Sequence, residues 1–159
     1  MDNISPSRQK IIDLAMQELG IKESPSGSNL TKFGEWYGEN GVSWCAIFVS
    51  WVYFFAGYPL GTIDTAKGYA SCQDGLNHFK AAGQLTDNPQ PGDIVFYDFI
   101  GSGVAHHTGI YFGPDVLPDH FWAIEGNTSI GNNSNGGEVM KRLRSKSSVM
   151  GFASPGILS

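Results

Sequence analysis

The chain has 159 residues, of which 41% are hydrophobic, and a formal net charge of −5. This length suffices for one hydrophobic core, so we expect a single domain over residues 1–159. An acidic chain lacks the broadly basic surface of nucleic-acid-binding domains, and no apolar run approaches the roughly 18 residues of a membrane span, so neither a nucleic-acid partner nor a membrane span is expected.

The first predicted helix is bracketed by Ser5 as its N-cap, Pro6 at its first position and Gly20 after its last residue. We expect Glu18 on the solvent-exposed edge of the apolar stripe of this helix. A loop at residues 24–29 then leads to a short aromatic segment that contains Phe33, Trp36 and Tyr37.

Cys45 stands at the start of a second predicted helix, which ends before Gly57. With Cys45, apolar residues recur at helical spacing and predict one buried face, formed by Phe48, Val49, Val52 and Phe55. In the first turn of a helix, unpaired backbone N–H groups and the helix dipole favour a thiolate. Cys45 is therefore either a reactive cysteine or one more small buried hydrophobic residue.

The other cysteine, Cys72, follows Ser71, which we interpret as the N-cap of a helix that Gly83 closes. We interpret Cys72 as a structural or free thiol. Two cysteines do not predict a disulfide-stapled fold, and no cysteine or histidine pair has the spacing of a zinc site.

Strand patterns dominate only after Pro91, and they are predicted at 93–99, 104–112, 120–125, 138–143 and 149–153. Helices followed by antiparallel strands predict an α+β fold. The segment 126–137 is rich in Asn, Ser and Gly, which predicts a long loop. The basic segment 141–146 is predicted to lie on an edge strand with its charges in solvent.

Histidine and glutamate fall on neighbouring predicted strands. A cysteine nucleophile needs a base, and the base needs a third group that orients its ring. Because strand side chains alternate between faces, only one of His106 and His107 can face the thiol of Cys45. Glu125 is the candidate for the third group, although each of these residues alone also fits a structural role.

Four short motifs, in this order, resemble the CHAP domain, the cysteine, histidine-dependent amidohydrolase/peptidase of phage endolysins and bacterial cell-wall hydrolases. They are Trp44-Cys45-Ala46, Pro91-Gly92-Asp93, His107-Thr108-Gly109 and Glu125-Gly126-Asn127. The resemblance implies a papain-like fold, with N-terminal helices packed on a C-terminal antiparallel β-sheet.

The same resemblance implies the roles of single residues. Cys45 becomes the nucleophile, His107 the base, Glu125 the orienting carboxylate and Asn127 an accessory polar group. The family pattern places histidine two residues before a glycine, which selects His107 and leaves His106 as a structural residue.

The function implied is hydrolysis of an amide bond in peptidoglycan, and an N-acetylmuramoyl-L-alanine amidase is slightly favoured over an endopeptidase with the same triad. A non-catalytic structural protein of a virion or wall complex and a papain-like transferase or isopeptidase remain open. Tyr37, Trp44 and Trp122 are candidates for walls of the substrate cleft and, equally, for core positions.

No cofactor is expected. Some CHAP domains carry calcium in an acidic loop upstream of the nucleophile, but residues 21–44 hold only Glu23, Glu35 and Glu39 as acids, in no Asp-x-Asp pattern. The resemblance therefore predicts an enzyme without a metal.

The segment Met1–Arg8 has no basic start and no apolar core typical of a secretory signal. We expect a monomer that is made in the cytoplasm without a signal peptide and acts on the cell wall after delivery. A holin or a secretion apparatus would be the delivery partner, unless the chain is a fragment of a longer protein.

Overall fold

A computed structural model describes residues 4–158, and the first three residues of the N-terminal segment considered above lie outside this range. Four helices come first: α1 (Pro6–Gln17), α2 (Lys32–Tyr37), α3 (Cys45–Phe55) and α4 (Cys72–Ala81). Six strands follow: β1 (Leu85–Thr86), β2 (Ile94–Tyr97), β3 (His107–Pro114), β4 (His120–Thr128), β5 (Glu138–Ser145) and β6 (Val149–Ala153). The predicted α+β order is confirmed.

The strands form one antiparallel sheet in the order β1-β6-β2-β3-β4-β5. The basic strand β5 lies at its edge, as predicted, and a short 3₁₀ helix, Lys146–Ser148, joins it to β6. Within residues 4–158 no helix is long and apolar enough to cross a membrane.

Alternation along the strands divides the side chains of the sheet between two hydrophobic clusters. One cluster contains Ile94, Phe96, Ile110 and Ile124, which pack with the helices in the main core. The other, which we call the second cluster, consists of Val95, Tyr97, Tyr111, Phe121, Ala123 and Phe152. Residues that alternate with the main-core positions therefore lie on the face of the second cluster.

Side chains cap three of the four helices. The hydroxyl oxygens of Ser5, Thr31 and Ser71 accept hydrogen bonds from backbone N–H groups in the first turns of α1, α2 and α4, respectively. At α3 the N-cap position is occupied by Trp44, and no side chain of residues 4–158 makes a capping bond. Within this range, the first-turn N–H groups of α3 therefore have no capping acceptor.

The motif Pro91-Gly92-Asp93 joins α1 and α3 to the start of the sheet. Arg8 of α1 donates from Nη1 to Asp93 Oδ1 at 2.6 Å and to the carbonyl of Pro91 at 3.2 Å. Tyr53 of α3 donates its hydroxyl to the carbonyl of Gly92. The motif is thus a polar junction that fixes both helices against β2.

Three predictions about exposure are wrong. The basic segment 141–146 was predicted to have its charges in solvent, but Arg144 is 5% exposed, because its guanidinium group pairs with the buried carboxylate of Glu125.

The other two predictions concern Glu18 and Phe55. Glu18 is 7% exposed rather than solvated, because the N-terminus of α2 covers it and the ammonium group of Lys32 pairs with its carboxylate. Phe55 is 53% exposed rather than buried, because it lies in the last turn of α3, where its ring contacts Trp51 and Trp36 at the surface.

Candidate active site

Cys45 is the first residue of α3, as the sequence predicts, and its side chain is 2% exposed. The helix packs against β3 and β4, which carry the two other residues of the expected triad. Since the start of α3 is uncapped, its N–H groups and its dipole act on the sulfur of Cys45. The position favours a thiolate at a site that is almost free of water.

His107 and Glu125 form a buried pair on adjacent strands. The Nε2 atom of His107 lies 2.9 Å from Oε1 of Glu125, and both side chains are fully buried. The Nδ1 atom of His107 is also buried and has no hydrogen-bond partner among the described residues. Glu125 thus holds the far side of the ring and leaves Nδ1 for the exchange of a proton.

Arg144 of β5 completes a charged chain that the sequence analysis missed. Its Nε atom donates to Oε2 of Glu125 at 2.9 Å, and its Nη2 atom donates to Oε1. The guanidinium carbon lies 5.4 Å from the ring centre of Tyr97 and 4.7 Å from that of Phe99. The planar guanidinium group of an arginine can donate two hydrogen bonds to one carboxylate and stack on aromatic rings, which a lysine cannot do. In the sequence, only the presence of an arginine at position 144 pointed to this role.

The charges in this chain shift the pKa values of both partners. Burial alone would raise the pKa of Glu125, but His107 and Arg144 outweigh it and lower that pKa from 4.5 to about 2. Burial alone would lower the pKa of His107, but Glu125 and Cys45 outweigh it and raise that pKa from 6.5 to about 9. The histidine is therefore an imidazolium at neutral pH.

The sulfur of Cys45 is the anion that this imidazolium faces. The contact with the sulfur of Cys72 and the nearby His107 hold the pKa of Cys45 well below its usual range, although burial of the sulfur raises it. The resting site is thus a thiolate and an imidazolium, the state in which a cysteine is most nucleophilic near neutral pH.

Asn127 lies beside the site but does not contact His107. Its Nδ2 atom donates to Oγ of Ser43 at 3.1 Å, and its Oδ1 atom accepts from the N–H of Gly137 at 3.2 Å. The same Ser43 oxygen is 4.0 Å from Sγ of Cys45. Because Ser43 accepts from Asn127, its own proton is free to point at the sulfur or at a substrate oxygen.

The structure places two of the three candidate cleft aromatics in the core. Trp44 is fully buried, stacks on Phe33 and donates from Nε1 to Glu23 at 3.3 Å. Tyr37 is 4% exposed and donates to the carbonyl of Gly68 at 3.0 Å. Trp122 is half-buried on β4, where its Nε1 atom donates to Asp115 at 2.9 Å. Neither Trp44 nor Tyr37 can form a wall of an open cleft.

His106 makes only local contacts. Its Nε2 atom accepts from the N–H of Phe99 at 3.3 Å, and its Nδ1 atom lies 3.6 Å from Oδ1 of Asp98. These contacts tie the ring to the loop that precedes β3, which matches the structural role expected for this residue.

A groove of about 440 Å³ opens next to the two cysteines. Its lining includes Ser43, two residues before Cys45, and Ser71, immediately before Cys72. The remaining lining residues are Glu39, Val42, Asp64 and Ala70. Neither cysteine lines the groove itself.

Across residues 4–158, no three histidine, cysteine, aspartate or glutamate side chains are arranged to hold a metal ion.

The fold resembles that of several solved structures, two of which are described as NlpC/P60 or NLP/P60 family proteins. An NlpC/P60 family protein from Bacillus cereus ATCC 10987 has a TM-score of 0.54 and 15% identity, over 96% of this chain and 41% of that chain. A protein described as similar to lipoprotein, NLP/P60 family, from Staphylococcus aureus subsp. aureus Mu50 has a TM-score of 0.51 and 16% identity, over 98% and 43%. Ly7917 has a TM-score of 0.56 and 17% identity, over 94% and 62%.

The chain therefore spans less than two thirds of each of these neighbours, and at such identities the likeness shows the fold alone. No protein-family model matches the sequence, and no curated protein is significantly similar to it. The papain-like architecture is confirmed, whereas membership of the CHAP family stays a prediction.

Proposed function

We propose that this protein hydrolyses an amide bond of peptidoglycan, with Cys45 as the nucleophile and His107 as the acid and base. The observation that carries the proposal is the buried chain of charges that runs from Arg144 through Glu125 to His107, close to the thiol of Cys45 at the start of α3. Such a chain stabilises an imidazolium beside a thiolate, which is what acyl transfer to cysteine requires.

The mechanism follows from the positions of these groups. The thiolate of Cys45 attacks the carbonyl carbon of the amide and forms a tetrahedral oxyanion. The unbonded N–H groups in the first turn of α3 are the donors available to that oxygen. His107 then gives its proton to the leaving nitrogen, and the C–N bond breaks to leave a thioester on Cys45.

Water completes the cycle. The neutral imidazole of His107 takes a proton from water, and the resulting hydroxide attacks the thioester carbonyl. Collapse of the second tetrahedral intermediate releases the carboxylate product and restores the thiolate beside the imidazolium. Glu125 stays ionised throughout, because Arg144 and His107 both donate to it.

A wall substrate is supported by the CHAP-like motifs and by the fold shared with NlpC/P60 proteins, which are papain-like cell-wall hydrolases. Cleavage between sugars is disfavoured, because glycosidases need two carboxyl groups that flank the bond. At this site the buried carboxylate is Glu125, and it is already occupied by Arg144 and His107.

The bond that is cut can be identified from the products. We favour cleavage of the amide bond between N-acetylmuramic acid and L-alanine over cleavage within the stem peptide or the cross-bridge. This preference rests on the resemblance to CHAP domains alone. Purified sacculi of several wall types would be digested, and the soluble products analysed by mass spectrometry. Stem peptides with a free N-terminal alanine would support the amidase, and shortened stems or opened cross-links would support the endopeptidase.

Two further results of the same digestion bear on the proposal. New reducing sugar ends should not appear, because a thiolate with an imidazolium attacks carbonyl groups. Sacculi that remain unchanged in every wall type would contradict the proposed substrate.

A further inference from the structure

The two cysteines of the chain meet at the N-termini of two helices. Cys45 is the first residue of α3, and Cys72 is the first residue of α4. Their sulfur atoms are 3.6 Å apart, and the residues are 2% and 7% exposed. Cys72 was expected from the sequence to be a structural or free thiol, yet its sulfur contacts the atom that would attack the substrate.

Two negative charges on buried sulfurs at this distance would repel each other strongly, because a separation of 3.6 Å leaves no room for another group between them. The pair therefore keeps one proton between them over a wide range of pH, as interacting acids do. The position of that proton depends on what else surrounds each sulfur.

The surroundings assign the proton to Cys72. Cys45 faces the imidazolium of His107, whereas the other charge that acts on Cys72 is the carboxylate of Asp64. Helix dipoles act on both sulfurs, but Ser71 already takes up one N–H group of α4, and α3 has no such cap. The anion is therefore more stable on Cys45 than on Cys72.

We propose that the thiol of Cys72 donates a hydrogen bond to the sulfur of Cys45 and so holds the nucleophile as a thiolate in the resting enzyme. The inference rests on the proposed function only in taking Cys45 as the nucleophile. Cys72 then becomes a functional residue, since its proton contacts the reacting atom.

The pKa values move in the directions that this arrangement requires. The bond from Cys72 lowers the pKa of Cys45, and the sulfur of Cys45, together with burial, raises the pKa of Cys72. Three more titratable groups face the pair from neighbouring elements: His107 on β3, and Tyr69 and Asp64 in the segment before α4. Burial raises the pKa of Tyr69, whose hydroxyl contacts Oγ1 of Thr108 at 2.8 Å, so this residue stays neutral.

The hydrogen bond has two opposite effects on reactivity. It keeps Cys45 ionised down to a lower pH. It also reduces the intrinsic nucleophilicity of the thiolate, because nucleophilicity falls as the pKa of the thiol falls. An alkylated or acylated sulfur is no longer an anion and loses most of its strength as an acceptor. Removal of the donor should therefore slow Cys45 at acidic pH and accelerate it at alkaline pH.

The test is the rate at which iodoacetamide alkylates Cys45, measured against pH by mass spectrometry of peptides after removal of reductant. The sulfur displaces iodide in this reaction, and no peptidoglycan is involved. For Cys72→Ala we expect the midpoint of the profile to rise by about 1 pH unit relative to wild type. The alkaline plateau should rise by about threefold, so that the two curves cross.

Cys72→Ser is the matched control, because it keeps a donor of similar size at the same position. Its midpoint should stay close to that of wild type. If Cys72→Ala does not give the native circular dichroism spectrum, Cys72→Val replaces it as the variant without a donor. Superimposable profiles for wild type and the donor-free variant would overturn the proposal, as would a Cys72→Ser midpoint displaced as far as that of Cys72→Ala.

Wild type alone provides a further test. Throughout the range below the plateau, Cys45 should be modified and Cys72 should not, and preferential modification of Cys72 would also overturn the proposal. Because alkylation does not need the substrate, a crossed pair of profiles together with no hydrolysis of sacculi would reject the proposed function and leave the assignment of Cys72 standing.

Discussion

At the scale of single residues, the orientation of His107 depends on a carboxylate that is itself held. Arg144 donates two hydrogen bonds to Glu125, and it is buried against the rings of Tyr97 and Phe99. A buried carboxylate with only one cationic partner would carry a large desolvation cost. Arg144 therefore acts as a positioning residue, since it keeps Glu125 ionised and fixed against the imidazole.

Substitution of Arg144 tests this role. Arg144→Ala should lower the free energy of unfolding by about 3 kcal/mol, because it leaves the charge of Glu125 partly uncompensated. Hydrolysis by the remaining folded protein should fall by about 10-fold or more as the imidazole loses its orientation. Lys146→Ala, which removes an exposed charge a few residues away, is the control and should change neither quantity appreciably. Equal activity in Arg144→Ala and Lys146→Ala would show that Arg144 does not position the catalytic groups.

The two adjacent histidines give a second test. His107 contacts Glu125, and His106 contacts only the loop before β3. His107→Ala should reduce the rate of hydrolysis by roughly 10²-fold or more, the usual scale for a general acid and base. His106→Ala should retain most of the activity. The opposite ranking in a turbidity assay with sacculi would show that the wrong histidine is assigned.

The charge of His107 predicts the pH dependence. Burial opposes that charge, but Glu125 and Cys45 prevail and raise the pKa of His107 to about 9. The imidazolium, which in the proposed mechanism protonates the leaving nitrogen, is therefore present at neutral pH and lost as the pH rises through about 9. The rate at low substrate concentration should decline over that range in wild type and in His106→Ala alike. A decline centred near 6.5, the ordinary value for histidine, would contradict the charged chain.

Residue types and motif order in the sequence suffice to single out Cys45, His107 and Glu125. They do not reveal Arg144 or the contact between the two cysteines. Arg144 is paired in register with Phe121, four residues before Glu125, so its reach to the carboxylate depends on the register of β4 and β5. The approach of Cys72 to Cys45 depends on how two helices converge, which no local pattern encodes.

At the scale of elements, the contact between β3 and β4 explains the glycine in His107-Thr108-Gly109. A Cβ atom at Gly109 would lie 2.5 Å from Cγ of Glu125 and 3.0 Å from the carbonyl oxygen of Ile124. The absence of a side chain lets Glu125 lie flat across β3 and reach the imidazole. Gly109 is therefore needed for steric reasons, because a side chain at this position would collide with Glu125.

A methyl group at this position should disturb the site more than the fold. In Gly109→Ala we expect Glu125 to be displaced and the rate of hydrolysis to fall by about 10-fold or more. Gly151→Ala is the matched control in β6, because its Cβ would meet only the flexible ends of Leu76 and Leu85, at 3.2 Å or more. The melting temperatures and rates of the two variants should be compared with those of wild type, and a fully active Gly109→Ala would contradict the close contact.

Caps predicted the starts of α1 and α4, because Ser5 and Ser71 accept the hydrogen bonds expected of N-caps. The helix α2 was predicted only as a short aromatic segment, although Thr31 caps it. The strand β1 was not predicted, since two residues, Leu85–Thr86, carry no alternation. Exposure was harder to foresee than element type. The burial of Glu18 and the exposure of Phe55 both depend on where α2 lies against its neighbours.

At the scale of the whole molecule, the order of elements sufficed to predict an α+β fold, and the motifs sufficed to predict its papain-like architecture. The division of the sheet's apolar side chains between two hydrophobic clusters was not foreseen. Their separation depends on sheet order and register, which are properties of the assembled strands.

The central claim, that Cys45 attacks an amide bond of peptidoglycan, is tested most directly by one comparison. Wild type and Cys45→Ala would be incubated with purified sacculi at equal concentration, and the soluble fragments released over time would be measured. Matching circular dichroism spectra would show that both proteins are folded. We expect steady release of fragments by wild type and only background release by Cys45→Ala. Comparable release by the two folded proteins would contradict the claim.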